Sequence, residues 1–279
     1  MKTWLITGAG RGIGNSLARQ VLGTGDNVIG TVRTEADADR FQALEPGRAE
    51  AIILDLKDHA AVGSILSEIA SRPSGIDVLV NNAGYGLYGA VEEVSIDEVR
   101  QNFDVNFFGA LACIQSMLPS FRARKSGHIV NITSVSGLAP WAGTASYGAT
   151  KYALECLGQT LAQEMAPFGI KVTNVAPGGI ETEFAKNSLQ LAKNEVTDYR
   201  GTVAHYPRTL ANSVDHTMPS DVEKVAKAVM DVVAAEDPPV HLLLGADAVH
   251  YAGQQMSKFM SDMTDWMTLT MSTAKENQG

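Results

Sequence analysis

Apolar residues in this chain fall into two alternating kinds of run. Short, nearly unbroken runs occur at TWLIT (3–7), VIGTV (28–32), AIILD (51–55), DVLVN (77–81), HIVNIT (128–133), IKVTNVA (170–176) and HLLL (241–244). Most lack polar alternation, the pattern of strands covered on both faces. Between them apolar residues recur at helical spacing: Ile13, Leu17 and Val21, then Val62, Ile65, Leu66 and Ile69. A long stripe runs through Phe103, Phe107, Ala110, Ile114, Met117 and Phe121, and another through Leu154, Leu157, Leu161 and Met165. Ser95 with Glu98, and Ser220 with Glu223, have the spacing of capping boxes and mark two helix starts. Strand–helix alternation predicts an α/β fold with one doubly wound parallel sheet and helices on both faces.

Two stretches leave this rhythm. Residues 183–219 are polar, mixed and aperiodic, far longer than the usual connection in such folds, and are expected to form a substrate lid. From Ala248 to Ser272 the chain adds a C-terminal helix whose stripe is Met256, Phe259, Met260, Met263, Trp266, Met267 and Met271. That stripe is expected to pack on the core or on a second copy rather than to hold a cofactor. No composition break divides residues 1–279, which read as one domain.

Composition narrows the function classes. A net charge of −9 with no basic run excludes a nucleic-acid partner; Arg122, Arg124 and Lys125 make only a short cluster at a helix end. No apolar run is long enough for a membrane span, VAKAVMDVVAA being broken by Lys227 and Asp231, so no membrane partner is expected. MKTWLITGAG runs straight into a strand pattern and leaves no room for a signal peptide. Cys113 and Cys156 are too few for a disulfide framework and are expected to be buried, reduced thiols of a cytoplasmic protein. The six histidines are scattered without ligand spacing, so no metal is expected.

The candidate chemistry gathers at strand ends. TGAGRGIG (7–14) follows the first strand and opens the first helix; Gly8, Gly12 and Gly14 suit a tight turn, close phosphate approach and close helix–strand contact. NNAG (81–84) follows the fourth strand, ITSVSG (132–137) presents Ser134 after the fifth, and PGG (177–179) leads to Thr182 after the sixth. VNFFG carries Asn106. Tyr147 and Lys151 lie four apart in SYGATKYA, one turn apart on one helix face. Each alone has a plain reading: turn closure, a cap, an exposed phenol beside a solvated lysine. Their joint order along one sheet edge, where open α/β sheets bind ligands, points to a site.

Together these motifs resemble the classical short-chain dehydrogenases/reductases, over residues 3 to about 245. The resemblance implies a Rossmann-type sheet of about seven strands and an NAD(P)-dependent oxidoreductase acting on a ketone or secondary alcohol. It implies that Ser134 polarises the carbonyl, Tyr147 is the acid/base, Lys151 is its partner and ribose ligand, and Asn106 holds a proton-relay water. It also implies cofactor contacts from Gly8, Arg11, Gly12, Ile13, Gly14, Arg33, Asp55, Leu56, Asn82, Ala83, Gly84, Pro177, Gly178, Ile180 and Thr182, besides Tyr147 and Lys151. A free phenol titrates near pH 10, and a neighbouring ammonium with an oxidised nicotinamide is expected to lower it. A sensor that binds cofactor without turnover has no use for the acid/base group, and a structural protein leaves the glycine turn unexplained.

Cofactor choice turns on the residues just beyond the second strand. In VIGTVRTEAD an arginine, Arg33, stands where an acid would accept the ribose hydroxyls of NAD, and Arg11 lies in the phosphate turn. Two guanidiniums favour the 2′-phosphate of NADP(H). NAD(H) is the alternative if Glu35 reaches the ribose, with Asp37 beside it. Apolar Leu87, Leu138, Pro140, Trp141 and Phe184 suggest a bulky hydrophobic small-molecule substrate. LLLGADA followed by a helix departs from acyl-carrier-protein reductases toward the branch resembling hydroxysteroid and retinol dehydrogenases. A homodimer is expected, by resemblance and from the Met-rich stripe.

Overall fold

A computed structural model of the chain describes residues 1–181, 189–211 and 220–275. Seven parallel strands form its main sheet: β1 (Thr3–Ile6), β2 (Asn27–Val32), β3 (Ala49–Ile53), β4 (Val78–Asn81), β6 (Gly127–Ile132), β7 (Ile170–Pro177) and β11 (His241–Leu244). Their order is β11-β7-β6-β4-β1-β2-β3, so the chain reverses direction of growth between β1 and β4. That switch point is where such sheets open a crevice at their carboxyl ends. All seven expected strands are present, with ends displaced by up to two residues.

Strand residues alternate between two cores because helices cover both faces. On one face Trp4, Ile6, Val28 and Val130 pack with Leu17 and Val21 of α1 (Gly12–Gly23) and with Val229 and Val232 of α8 (Val222–Ala234). On the other, Leu5, Leu79 and Ile129 meet Leu66 of α3 (His59–Ala70), Met117 and Phe121 of α5 (Ala110–Arg124), and Leu161 of α6 (Ala145–Met165). A short helix, α2 (Glu35–Gln42), unmarked by any apolar stripe, starts at a Thr34 cap that accepts from the Asp37 amide.

The structure corrects several expectations. The long third stripe spans three pieces: α4 (Ile96–Phe103), a π-helical segment Asp104–Gly109, and α5. The Ser95–Glu98 capping box on α4 forms, but the second one does not. Asp221 caps α8 by accepting from the Lys224 amide, while Glu223 takes the Gln20 side chain, because Ser220 is drawn into β10 (Ser220–Asp221) beside β8 (Ile180–Glu181). Cys113 is buried, but Cys156 lies on the outward side of α6 and is exposed. Thr182 and, within the expected lid, residues 183–188 and 212–219, Phe184 among them, lie outside the described residues. Its middle is docked rather than free. There β9 (Leu189–Leu191) pairs in parallel with β5 (Gly86–Tyr88), followed by α7 (Tyr206–Ala211).

The C-terminal helix α9 (Ala246–Asp265) anchors through buried Ala248 and Ala252, and α10 (Met267–Met271) comes after it. Its stripe is not packed on the chain's own core: Met256, Phe259, Met260 and Trp266 are each more than half exposed. Among the described residues no helix is long and apolar enough to cross a membrane.

His128, buried on β6, sets a pH limit on the fold. The Thr173 hydroxyl donates to the Pro239 carbonyl, so His128 Nε2–H must donate to Thr173 Oγ, leaving Nδ1 bare and unpartnered. Burial, with Lys171 and Lys2 nearby, pulls this imidazole down to about 4. The unfolded chain takes up that proton near pH 6.5 and the folded chain does not until about pH 4. Stability is therefore present in full above pH 6.5 and lost on acidification toward pH 4, by about 3 kcal/mol. Urea titrations of wild type and His128→Gln at pH 7 and pH 4.5 check this: the gap between the two proteins should narrow or invert at the lower pH. Parallel losses would contradict it.

Candidate active site

The site is assembled from the carboxyl ends of β1, β4, β6 and β7. Gly8 turns out of β1 with φ 67°, the left-handed region that favours glycine. Thr7 Oγ accepts from the Asn82 and Ala83 amides at 3.0 Å each, and Asn82 Nδ2 donates back to the Thr7 and Gly8 carbonyls at 2.8 and 3.1 Å. The NNAG segment thus holds the glycine turn in place. Gly14 packs against the same group: a Cβ there would lie 2.5 Å from Asn82 Nδ2 and 2.6 Å from the Gly8 carbonyl oxygen. Arg11 occupies the N-cap of α1 without a side-chain cap bond, and the first turn, with Gly12 and Ile13, carries no acidic residue. An uncapped helix start with no acid in its first turn, beside a glycine turn, fits a pyrophosphate.

Beyond β2 the expected charge pattern is present in a modified form. Arg33 is exposed directly after the strand. Asp37, not Glu35, is the acid that turns toward the glycine loop, its carboxyl carbon 3.8 Å from where a Gly10 Cβ would stand. It is hydrogen-bonded to Thr34 and ion-paired with Arg40, and with Arg11 adding to them its carboxyl stays below the usual range. After β3, Asp55 folds onto the Lys57 amide and Leu56 is buried under Gly109.

Tyr147, Lys151, Asn106 and Ser134 are brought together. Gly84 joins them, a Cβ there falling 3.0 Å from Asn106 Oδ1 and 3.5 Å from Lys151 Nζ. Asn106 sits in the π segment, a geometry frequent at functional sites. Both sides of its amide are engaged: Oδ1 accepts from the Tyr85 amide, and Nδ2 donates to the Tyr85 carbonyl and to Thr150 Oγ, each at 3.0 Å. Ser134 Oγ accepts from the Ser136 amide at 3.2 Å, which caps the short turn Val135–Gly137 and leaves the hydroxyl proton to be donated.

Tyr147 is buried, and burial pushes its phenol up, with Tyr88 adding to it and Ser134 opposing. The Lys151 ammonium donates to the Ile132 carbonyl at 2.8 Å and stands 5.8 Å from the Tyr147 ring centre. Burial pulls Lys151 itself down to about 8, with Glu155 opposing. Tyr88 meets Tyr147 edge-on, ring centres 6.3 Å apart.

Other participants carry no motif. The turn after β7 rests on β11 and α9: the Gly178 amide donates to the Leu244 carbonyl and the Gly179 amide to Asp247 Oδ2 at 2.7 Å. Pro177 ends β7 and Ile180 begins β8. Buried Glu93 accepts from the Ala90 and Val196 amides and pairs with Arg208, which donates to the Ala192 and Asn194 carbonyls. That pair fastens β9, and with it the strand beside Tyr88, onto the body. No spacing in the sequence marks either Asp247 or Glu93; Thr7 opens the glycine motif, and Glu155 is visible only as a neighbour of the Tyr147–Lys151 segment.

The short chain dehydrogenase family matches residues 2–193. The chain belongs to the short-chain dehydrogenases/reductases. It is 34% identical over 274 residues to oxidoreductase BOA17 of Botryotinia fuckeliana, covering 98% of this chain and 99% of that one. With human retinol dehydrogenase 8 it shares 33% over 253 residues, 86% and 80% of the two chains. A solved short-chain dehydrogenase from Streptomyces avermitilis superposes with a TM-score of 0.91 at 37% identity, over 98% of this chain and all of that one. A short-chain dehydrogenase from Sphingobium yanoikuyae in complex with NADPH does so at 0.73 and 25%, over 100% and 98%. This short-chain dehydrogenase is an oxidoreductase acting on CH–OH or C=O groups with a nicotinamide cofactor.

Proposed function

We propose that the protein transfers a hydride between NADP(H) and a bulky, apolar ketone or secondary alcohol, with Tyr147 as acid/base. The single observation that carries this reading is the convergence of Ser134, Tyr147, Lys151 and Asn106 beside the glycine turn. When bound, the nicotinamide supplies or takes the hydride. The glycine turn and α1 would hold its pyrophosphate, Lys151 its ribose, and the turn from Pro177 to Ile180, with Thr182 beyond, its nicotinamide end. Ser134, whose oxygen already accepts from Ser136, donates its proton to the carbonyl oxygen where negative charge develops. A phenol raised by burial stays protonated at neutral pH and so serves as the proton donor in reduction. Asn106 pins Tyr85 to Thr150 of α6 and so fixes the helix that carries Tyr147 and Lys151. Tyr147→Phe removes the proton and keeps the ring, so turnover should fall roughly 100-fold or more with cofactor affinity retained. Rates and cofactor titration on this variant check it; near wild-type turnover would contradict it.

NADP(H) is supported by Arg33 and Arg11 near the expected 2′-phosphate and by the neutralisation of Asp37 by Arg40. The ratio of kcat/KM for NADPH over NADH should exceed unity and drop at least tenfold in Arg33→Asp. A ratio indifferent to that substitution would count against the assignment.

The reading includes one catalytic domain in which the described part of the expected lid, residues 189–211, fastened by Glu93 and Arg208, covers the substrate beside Tyr88. Leu87, Leu138 and Trp141 supply apolar walls, in keeping with the similarity to a retinol dehydrogenase. Two free cysteines agree with a cytoplasmic setting. The uncovered stripe of α9 is a surface for a second copy, giving a homodimer. Light scattering should return a mass near twice 29.7 kDa, and Phe259→Lys with Trp266→Lys should halve it.

A further inference from the structure

A line of buried amides runs across the sheet directly beneath the site. In register on β4, β6 and β7 lie Asn81, Asn131 and Asn174. Asn174 Nδ2 donates at 2.9 Å to both the backbone carbonyl and the carboxylate of Glu155, two acceptors, so its orientation is fixed. Asn131 Nδ2 then donates to Asn174 Oδ1, and Asn81 Nδ2 to Asn131 Oδ1, each at 2.9 Å. Every amide points its donor toward Glu155. The ladder ends on that carboxylate, which is 4% exposed and also accepts from Thr133 and from His241 Nδ1 at 3.0 Å. The Thr133 hydroxyl stands between two acceptors, the Glu155 carboxylate and, at 2.9 Å, the Val175 carbonyl that also takes the Thr133 amide. Three converging donors are what an ionised carboxylate needs in a dry interior. The contact between α6 and the ladder is close: a Cβ on Gly158 would fall 2.0 Å from Asn174 Oδ1.

Glu155 stands one helical turn beyond Lys151 on the buried side of α6. The two residues grip consecutive positions at the end of β6, Lys151 the Ile132 carbonyl and Glu155 the Thr133 hydroxyl, and the next residue is Ser134. We propose that Glu155 is a positioning residue of the active site: with the Asn81–Asn131–Asn174 ladder it supplies the buried negative charge against which Lys151 stays an ammonium, and it fixes the strand end that presents Ser134. A lysine buried to this extent loses its charge unless an opposite charge is held near it. The titratable groups facing the pair are Tyr147 on α6, Tyr88 on β5 through Tyr147, and His241 on β11; the ladder residues on β4, β6 and β7 are uncharged.

The kinetic arm of the test rests on the role given to Lys151 under the proposed function, so a second arm is read on ligand-free protein. Lys151 is followed by the 13Cε chemical shift of labelled lysine, assigned with Lys151→Arg. In Glu155→Gln, which keeps the shape and drops the charge, the Lys151 titration should move down by about one pH unit or more. The alkaline limb of kcat/KM should follow it, an approximately tenfold loss at pH 9 that fades toward neutrality. Glu155→Asp, which keeps the charge at shorter reach, should move both less; it also stands in if Glu155→Gln does not fold. A Lys151 titration that does not move in either folded variant overturns the proposal, and leaves the Tyr147 test untouched. A loss of rate equal at every pH, with no movement of the titration, also overturns it, because that is the signature of a packing role alone.

Discussion

The buried hydrogen-bond ladder from Asn81 through Asn131 and Asn174 to Glu155 is the constraint on which the site depends. Parallel strands covered on both faces have little to fix their register except side-chain packing, and apolar residues tolerate a slip better than amides do. Three asparagines that must meet in line cannot slip without leaving donors and acceptors unpaired in a dry core, at roughly 1–3 kcal/mol each. One such group, Asn81 Oδ1, is already without a partner among the described residues. Each ladder strand ends within a few residues of a functional segment: NNAG at the end of β4, Ser134 after β6, the Pro177–Gly179 turn at the end of β7. Locking the strands therefore locks the three loops relative to one another. Thr7 and Asn82 extend the same tie to the phosphate turn.

Burial then works against the charges that the chemistry uses. It raises Tyr147 and Tyr88 and lowers Lys151, so without cofactor the phenol is held protonated and the ammonium is weakened. This arrangement suits protonation of an alkoxide in the reducing direction. For oxidation the phenol must lose its proton, a step that the positive charge of an oxidised nicotinamide would favour. Burial is thus the leading influence on the proton affinity of both Tyr147 and Lys151.

Much of this is legible in the sequence. Unbroken apolar runs mark all seven strands of the sheet, because strands covered on both faces carry no polar alternation. The Tyr147–Lys151 spacing, Ser134, Asn106 and the glycine turn are readable because each must occupy a fixed place relative to a strand end. The features hidden in the sequence depend on pairing at a distance. The ladder joins the first asparagine of NNAG to two ordinary ones, Asn131 and Asn174, a link hidden until the register is known, and Asp247 supports Gly179 across 68 positions. Cys156 accompanies the helical stripe yet faces outward, since a stripe fixes a face only to within the width of one residue. Ser220 fits a capping box but is taken by β10, leaving the cap to Asp221. The stripe of α9 has the spacing of a packing face, and the chain's own core leaves it uncovered.

The central claim is that these loops assemble a site for hydride transfer. It is tested most directly by isotope transfer, using NADPH and NADH carrying deuterium at the transferable nicotinamide position and a panel of bulky apolar ketones. The account predicts an alcohol one mass unit heavier, with the deuterium on the carbinol carbon, formed by wild type and roughly 100-fold or more slowly by Tyr147→Phe. Unlabelled alcohol, or labelled alcohol formed equally well without the Tyr147 hydroxyl, would contradict it.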